Sequence, residues 1–288
     1  MPIRTILVPV TSAESTRASL ETAFMVAQMF HSHVDALHVR VDPKDTLPLL
    51  GEGMSGTLIQ EMIEFAEKES AERAKKAFEA FKKYCDHHKI AISDKPMAAN
   101  KMSANWSEEV GREDDYVATR GRLADLIVVG RPVDDADVPS PTTLNAALFE
   151  TGRAVLVTPP TPPKVLGRKI VIFWRGSTEA ARAVSAGMTF ITRAESVRII
   201  SAGADQPART GPEGLVRYFA WHGVDAEAEN VTAEGSAIGS SLLEACHNAK
   251  ADLLIMGAYT HSRVRQLILG GVTRRVLAES TVPVLMAH

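Results

Sequence analysis

This sequence predicts an α/β protein built of two tandem, doubly wound domains, and three observations point to it. Short apolar runs alternate with helix-spaced segments along the chain, the pattern of strands buried on both faces and joined by crossover helices into parallel sheets. The two halves also repeat one another. Ile6 aligns with Ile170 and Val10 with Trp174 at an offset of 164, and Ala124-Asp-Leu-Ile-Val-Val-Gly130 matches Ala251-Asp-Leu-Leu-Ile-Met-Gly257 at 127. Between the halves stands Thr158-Pro-Pro-Thr-Pro-Pro-Lys-Val-Leu166, where prolines fix φ and remove donors, excluding helix and central strand. The expected organisation is a first domain over 1–157, a linker over 158–166 and a second domain over 167–288. At 288 residues the chain exceeds the usual single domain of about 100–150 residues.

Taken in order, Thr5-Ile-Leu-Val-Pro-Val10 reads as a buried strand, and Ser12 to Met29, with Ala18, Ala23, Val26 and Ala27 at helical spacing, as its crossover helix. Because the repeat offset shrinks from 164 to 127, the first half carries about 37 extra residues. They fall at about 42–86. Val41 to Gly56 is a loop with Pro43, Pro48 and three glycines, and a long helix follows from about Ser55 to Asp86, carrying Ile59, Ile63, Ala66, Ala74, Ala77, Phe78 and Phe81 on one face. Arg153 to Val157 closes the first half as a strand. In the second half Lys169 to Trp174 and Leu253 to Met256 read as strands, Gly176 to Val184 and Val272 to Glu279 as helices, and Val282 to Met286 as the last strand.

Composition narrows the function. Hydrophobic residues at 45% and charged residues at 23% are ordinary for a globular protein, and a net charge of -3 gives no global attraction to nucleic acid or an anionic membrane. The amino terminus has one basic residue and an apolar run broken by Pro9, unlike a signal peptide. No stretch reaches the roughly 18 apolar residues of a membrane span, so a cytoplasmic location is expected, without nucleic-acid or membrane partners. Cys85 and Cys246 lie far apart in no metal motif and read as reduced side chains.

The segment from Asp252 to His288 carries the functional signal. A buried strand ends at Gly257, and Gly270-Gly271 sits where a helix begins. Unpaired amides at that helix start, with glycines allowing close approach, make a cradle for an anion. In α/β sheets of this kind ligands sit beyond the carboxyl ends of the strands where the winding reverses. Here those are the loops after Trp174 and after Met256. The spacing resembles the nucleotide signature of the universal stress protein family: a glycine, two residues, a second glycine, nine residues, a third glycine, then Ser or Thr. Gly257 and Gly270 take their places and His261 to Leu269 form the spacer, while Thr260 stands for the second glycine and Gly271 for the Ser or Thr.

The resemblance implies five strands per half in the order 3-2-1-4-5, and halves that associate through their fifth strands, Ala154 to Val157 and Val282 to Met286, with further homodimerisation open. It implies ATP or ADP as ligand of the second domain, with Mg²⁺ uncertain, and a stress-response role exerted through a protein partner and not through turnover. The expected site residues are Trp174, Arg175, Met256, Gly257, Tyr259, Thr260, Arg263, Gly270, Gly271, Val272 and Thr273. The family's Asp after the first strand corresponds to Arg175. Arginine cannot ligate Mg²⁺ but pairs directly with phosphate through its fork of donors. Arg263 and Arg265 add possible phosphate contacts, and Thr273 can supply the hydroxyl that Gly271 lacks. Against this stands the plainer reading, in which the arginines are solvated loop charges and the glycines only make turns. The chain is then an interaction module with the long insertion helix as its surface. A slow ATP hydrolase is the third reading, although no Walker loop is present.

Other motifs carry less. In the first half Thr11 replaces the family's Asp, and Gly130 is followed by Asp134, Asp135 and Asp137 with no glycine pair, a setting that repels phosphate. Gly51-Glu-Gly-Met-Ser-Gly56 has the letters of a dinucleotide fingerprint without a strand directly before it. His87-His88 beside Asp86, and His31 with His33, read as solvated surface side chains rather than metal ligands. Ser177 follows Gly176 without the spacing of a nucleophile elbow, so no catalytic constellation is expected.

Overall fold

The computed structural model of the protein describes residues 2–12, 16–42, 56–97, 101–132, 141–202, 209–233, 237–258 and 271–288. The chain divides into two compact units. One is Arg4–Thr151; the other is Gly152–His288 together with the amino-terminal residues up to Ile3.

In the first unit, β1 (Thr5–Pro9), α1 (Arg17–Phe30), β2 (His33–Arg40), α2 (Gly56–His88), β3 (Ala91–Ile92), β4 (Ser103–Val110), α3 (Glu113–Gly121), β5 (Leu126–Gly130) and α4 (Pro141–Glu150) follow in sequence. The sheet runs β3-β4-β2-β1-β5, all parallel. In the second unit the elements are β6 (Ala154–Thr158), β7 (Lys169–Phe173), α5 (Thr178–Ile191), β8 (Ser196–Ala202), α6 (Pro212–Trp221), β9 (Ala226–Val231), α7 (Ala237–Asn248), β10 (Leu253–Gly257), α8 (Gly271–Glu279) and β11 (Val284–Ala287). Its strand order is β9-β8-β7-β10-β11-β6.

The second half therefore has the expected order 3-2-1-4-5 in five parallel strands. The first half repeats 3-2-1-4 and adds the two-residue β3 beyond its third strand. Its fifth strand, β6, groups with the second unit and runs antiparallel to β11, pairing Val157 with Val284 and Val155 with Met286. That sheet is thus mixed, not purely parallel. An antiparallel neighbour satisfies the edge groups of β11 that would otherwise remain open.

The internal repeat extends to side chains that lock the sheets. Asp125, just before β5, accepts hydrogen bonds from the amides of Arg4 (2.8 Å) and Thr5 (3.1 Å) at the start of β1. Asp252, just before β10, does the same for Arg168 (2.9 Å) and Lys169 (3.1 Å) at the start of β7. A carboxylate at this position ties the fourth strand to the first, which sets the register of the pair lining the crevice.

The insertion helix α2 is 33 residues long, yet only Ala74, Ala77, Phe81 and Cys85 are buried. Phe81 packs on Trp106 of β4 with ring centres 5.5 Å apart and on Phe24 of α1 at 6.4 Å. Of the apolar face expected from sequence, Ile59, Ile63 and Ala66 are only half-buried and Phe78 is exposed. Among the described residues no helix is long and apolar enough to cross a membrane.

Candidate functional site

In the second unit a cleft of about 170 Å³ opens at the carboxyl ends of β7 and β10, where the winding direction reverses. Its walls come from five directions. Phe173 and Trp174 end β7, Ile200 and Ala202 end β8, Met256 and Gly257 end β10, Ile238 and Leu242 come from α7, and Val272 and Thr273 from the first turn of α8. Arg175, Ser177 and Ala180 complete it. The volume lies below the ~300–1,000 Å³ of pockets that enclose a drug-sized ligand. It suits one ring system, and the remainder of a larger ligand would lie outside it.

Each wall has a local cause. Trp174 is 9% exposed and held on both sides: its amide donates to the Ile200 carbonyl (2.9 Å) and its indole Nε1 to the Thr210 carbonyl (2.9 Å). The ring is thereby anchored toward the start of α6, with its N–H satisfied as burial requires. Arg175 next to it is exposed and has no ion-pair partner among the described residues. Gly257 is demanded by packing: a Cβ there would lie 2.5 Å from the Ala180 amide nitrogen and 2.8 Å from the Glu179 carbonyl carbon. Only glycine lets the start of α5 close on the end of β10.

Ser177 is the N-cap of α5, its hydroxyl accepting the Ala180 amide at 3.2 Å. This is a structural use of a serine that follows a glycine. Glu179 in the same turn is only lightly buried. Desolvation pushes its carboxyl up, but hydrogen bonds from its own amide, Thr178 and Ser177, with His288 nearby, outweigh that and hold it below the usual carboxylate range.

Of the residues expected from sequence, Trp174, Arg175, Met256, Gly257, Val272 and Thr273 line this one cleft. Gly271 opens α8, and a Cβ there would meet no atom within 4 Å. Tyr259, Thr260, Arg263 and Gly270, and with them Arg265, lie outside the described residues. Sequence reading missed Ile200, Ala202, Ile238 and Leu242. These apolar residues read as general core, and only their place at an element's end marks them as cleft wall.

The matching place in the first unit is built differently. Thr143 is the third residue of α4 as Thr273 is of α8, and both are buried, at 1% and 5% exposure. Thr143 donates to Oε1 of Glu113 in α3 at 2.7 Å. Burial pushes the Glu113 carboxyl up, helped by Asp114, while the Thr143 hydroxyl pulls it partly back. The amide of Thr11 donates to Oγ1 of Thr16 at 3.2 Å. The aspartates at 134, 135 and 137 lie outside the described residues, as do residues 51–55 of the dinucleotide-like letters.

The remaining chemistry-bearing groups are accounted for locally. Cys85 and Cys246 are free and buried, and desolvation pushes each thiol up to about 12, far from the depressed values of nucleophilic cysteines. His87 and His88 meet edge to face at 4.8 Å, and His88 lies against Tyr84 at 4.3 Å. Among the described residues no three His, Cys, Asp or Glu side chains converge as a metal site.

Comparison with known proteins agrees with this architecture. Residues 168–288 match the model of the universal stress protein family. A universal stress protein of Synechocystis is 53% identical over 34 residues, a stretch covering 12% of this chain and 12% of that relative. Among solved structures, a universal stress protein from Archaeoglobus fulgidus DSM 4304 superposes with a TM-score of 0.65 at 15% identity, covering 98% of this chain and 97% of that one. A protein of unknown function from Pseudomonas aeruginosa PAO1 gives 0.59 at 15%, covering 98% and 92%. At such identities the structural likeness establishes the fold alone. The family match thus falls within the second unit, on residues 168–288 after β6 and the linker, and this part of the chain is similar to a universal stress protein domain.

Proposed function

We propose that the second unit binds an adenine nucleotide, ATP or ADP, in the cleft between β7 and β10, and that the chain acts as a stress-response factor through protein contacts without turning the nucleotide over. The observation that carries this reading is the meeting, in one cleft, of an apolar ring-sized space, an arginine with no ion pair among the described residues and the first turn of α8. Trp174, Ile200, Leu242 and Met256 offer flat apolar walls to a base. Arg175 and the positive end of the α8 helix dipole favour negative charge. Thr273 adds a hydroxyl with no hydrogen bond among the described residues.

Among the described residues the cleft lining contains no carboxylate, and Arg175 stands where the family has an Asp. The guanidinium therefore meets phosphate directly, and binding is expected to be independent of Mg²⁺. Equilibrium binding of labelled ATP to the full chain, with Mg²⁺ or with chelator, tests both points. Arg175→Gln should weaken binding about tenfold, as loss of a charge-assisted hydrogen bond of ~1.5 kcal/mol implies. Absence of saturable binding at millimolar nucleotide would remove the proposal. Phosphate release in the same preparation should match buffer; a rate above buffer would favour a slow hydrolase instead.

One observation favours a second reading, an interaction module with no nucleotide: Phe65 and Leu58 of α2 stand 71% and 43% exposed. If ATP fails to bind, this surface becomes the leading functional element.

A further inference from the structure

A second cavity, of about 520 Å³, lies in the first unit at the amino-terminal ends of β1, β2 and β4, far along the strands from the crevice ends. Strand register builds it. Thr5 pairs with His33 and His33 with Ser103, so three neighbouring strands start side by side. Around them stand Arg4, His31, Lys95 and Lys101, all exposed, and Asp94 is the single carboxylate in the lining. Three permanent cations and two imidazoles against one carboxylate run counter to a chain of net charge -3. Residues 98–100, which complete this connection, are Ala-Ala-Asn and bring no charge.

The duplication supplies a control within the molecule. Arg168 holds in the second unit the place of Arg4, one residue ahead of the first strand, and is neutralised by Glu195 at 3.4 Å. The residue before β2 that corresponds to Glu195 is Ser32. The Arg4 side chain has no ion pair among the described residues, where its guanidinium donates to the Phe30 carbonyl at 3.4 Å. His33 has one ring nitrogen engaged with the Ser103 hydroxyl at 2.8 Å, which leaves the other for a ligand. On the strand side, Asp125 is already engaged by the Arg4 and Thr5 amides.

We propose that this groove is a binding site for a small phosphate-bearing anion, held by Arg4, Lys95 and Lys101 and hydrogen-bonded by His33. A multiply charged, oxygen-rich ligand exploits clustered cations that a neutral one cannot, and the volume lies in the range of small-molecule sites of ~300–1,000 Å³.

The test is titration of the full chain with inorganic pyrophosphate at low salt, read by calorimetry and by the imidazole NMR signals of His31 and His33. Saturable binding that moves those signals is expected, weakening as salt rises. Lys95→Gln with Lys101→Gln should weaken it at least tenfold, whereas the surface pair Lys82→Gln with Lys83→Gln on α2 should leave it unchanged. All four lysines are exposed, and circular dichroism checks that the variants fold. Arg175→Gln separates this groove from the nucleotide cleft: it should not alter the response at His31 and His33. Unmoved imidazole signals at saturating pyrophosphate, or wild-type affinity in the Lys95/Lys101 variant, would overturn the site. Binding of a single-stranded oligonucleotide without binding of pyrophosphate would overturn the assignment to a small anion.

Discussion

The two crevices began as one design, and their third helical residues show how they parted. In the first unit Thr143 donates to Glu113, a half-buried carboxylate at the start of α3. In the second unit Thr273 faces a cleft walled by Leu242 and Met256, with Arg175 at its edge. A carboxylate inside such a place repels an anion, and an arginine beside it attracts one. The same fold thus ties one of these helix starts to a carboxylate and turns the other to an open cleft, a difference made by a few side chains at the ends of strands and helices.

The strongest way to break the comparison is Gly257→Val. Its side chain would collide with backbone of α5, which no rotamer change relieves, so a loss of about 3 kcal/mol or more is expected for the second unit in denaturant unfolding. A fully stable variant would show that α5 does not depend on this close approach. Next comes the matched pair Thr143→Val and Thr273→Val. The first leaves a half-buried carboxylate short of a donor and should lower stability by ~1–3 kcal/mol. The second should change stability by less than ~1 kcal/mol, since no described hydrogen bond is lost, and weaken nucleotide binding several-fold. Equal effects of the two on stability would erase the distinction between the two helix starts.

Two smaller effects sharpen it. Gly271→Ser introduces a hydroxyl into open space at the start of α8. It should tighten nucleotide binding a few-fold while leaving the unfolding midpoint within ~0.5 kcal/mol of wild type. Glu113→Gln keeps an acceptor for Thr143 and removes the charge. Because folding raises the Glu113 carboxyl above its unfolded value, the folded state holds the proton more tightly. Stability then falls as pH rises through that window, and the penalty is complete only above the folded value. The variant should be more stable than wild type at pH 7, by less than ~1 kcal/mol, and equal to it below the ordinary carboxylate range. A difference that persists in acid would assign the effect to packing.

Much of the fold was legible in the residues themselves. Ala124-Asp-Leu and Ala251-Asp-Leu announce the fourth strands, because an acid before an apolar run both bounds the strand and caps its neighbour. Half of the cleft was legible too. Trp174, Arg175, Met256 and Gly257 stand where strands end, a position that sequence can locate. Ile238 and Leu242 were not, since an apolar residue on a helix looks the same whether it faces a core or a cavity. Ser177 shows the converse: beside Gly176 its letters suggest chemistry, while its hydroxyl is spent on an α5 amide.

Sequence alone determined the alternation of strand and helix, the duplication and the place of the insertion, because these follow from local periodicity and from which residues break it. The tertiary structure alone decided that β6 joins β11, that Gly257 is required by the close approach of a helix, and that Arg168 has an ion-pair partner while Arg4 has none among the described residues. Those outcomes depend on which backbone or charge arrives within a few ångströms from a distant part of the chain, and nothing in the neighbouring residues records that approach.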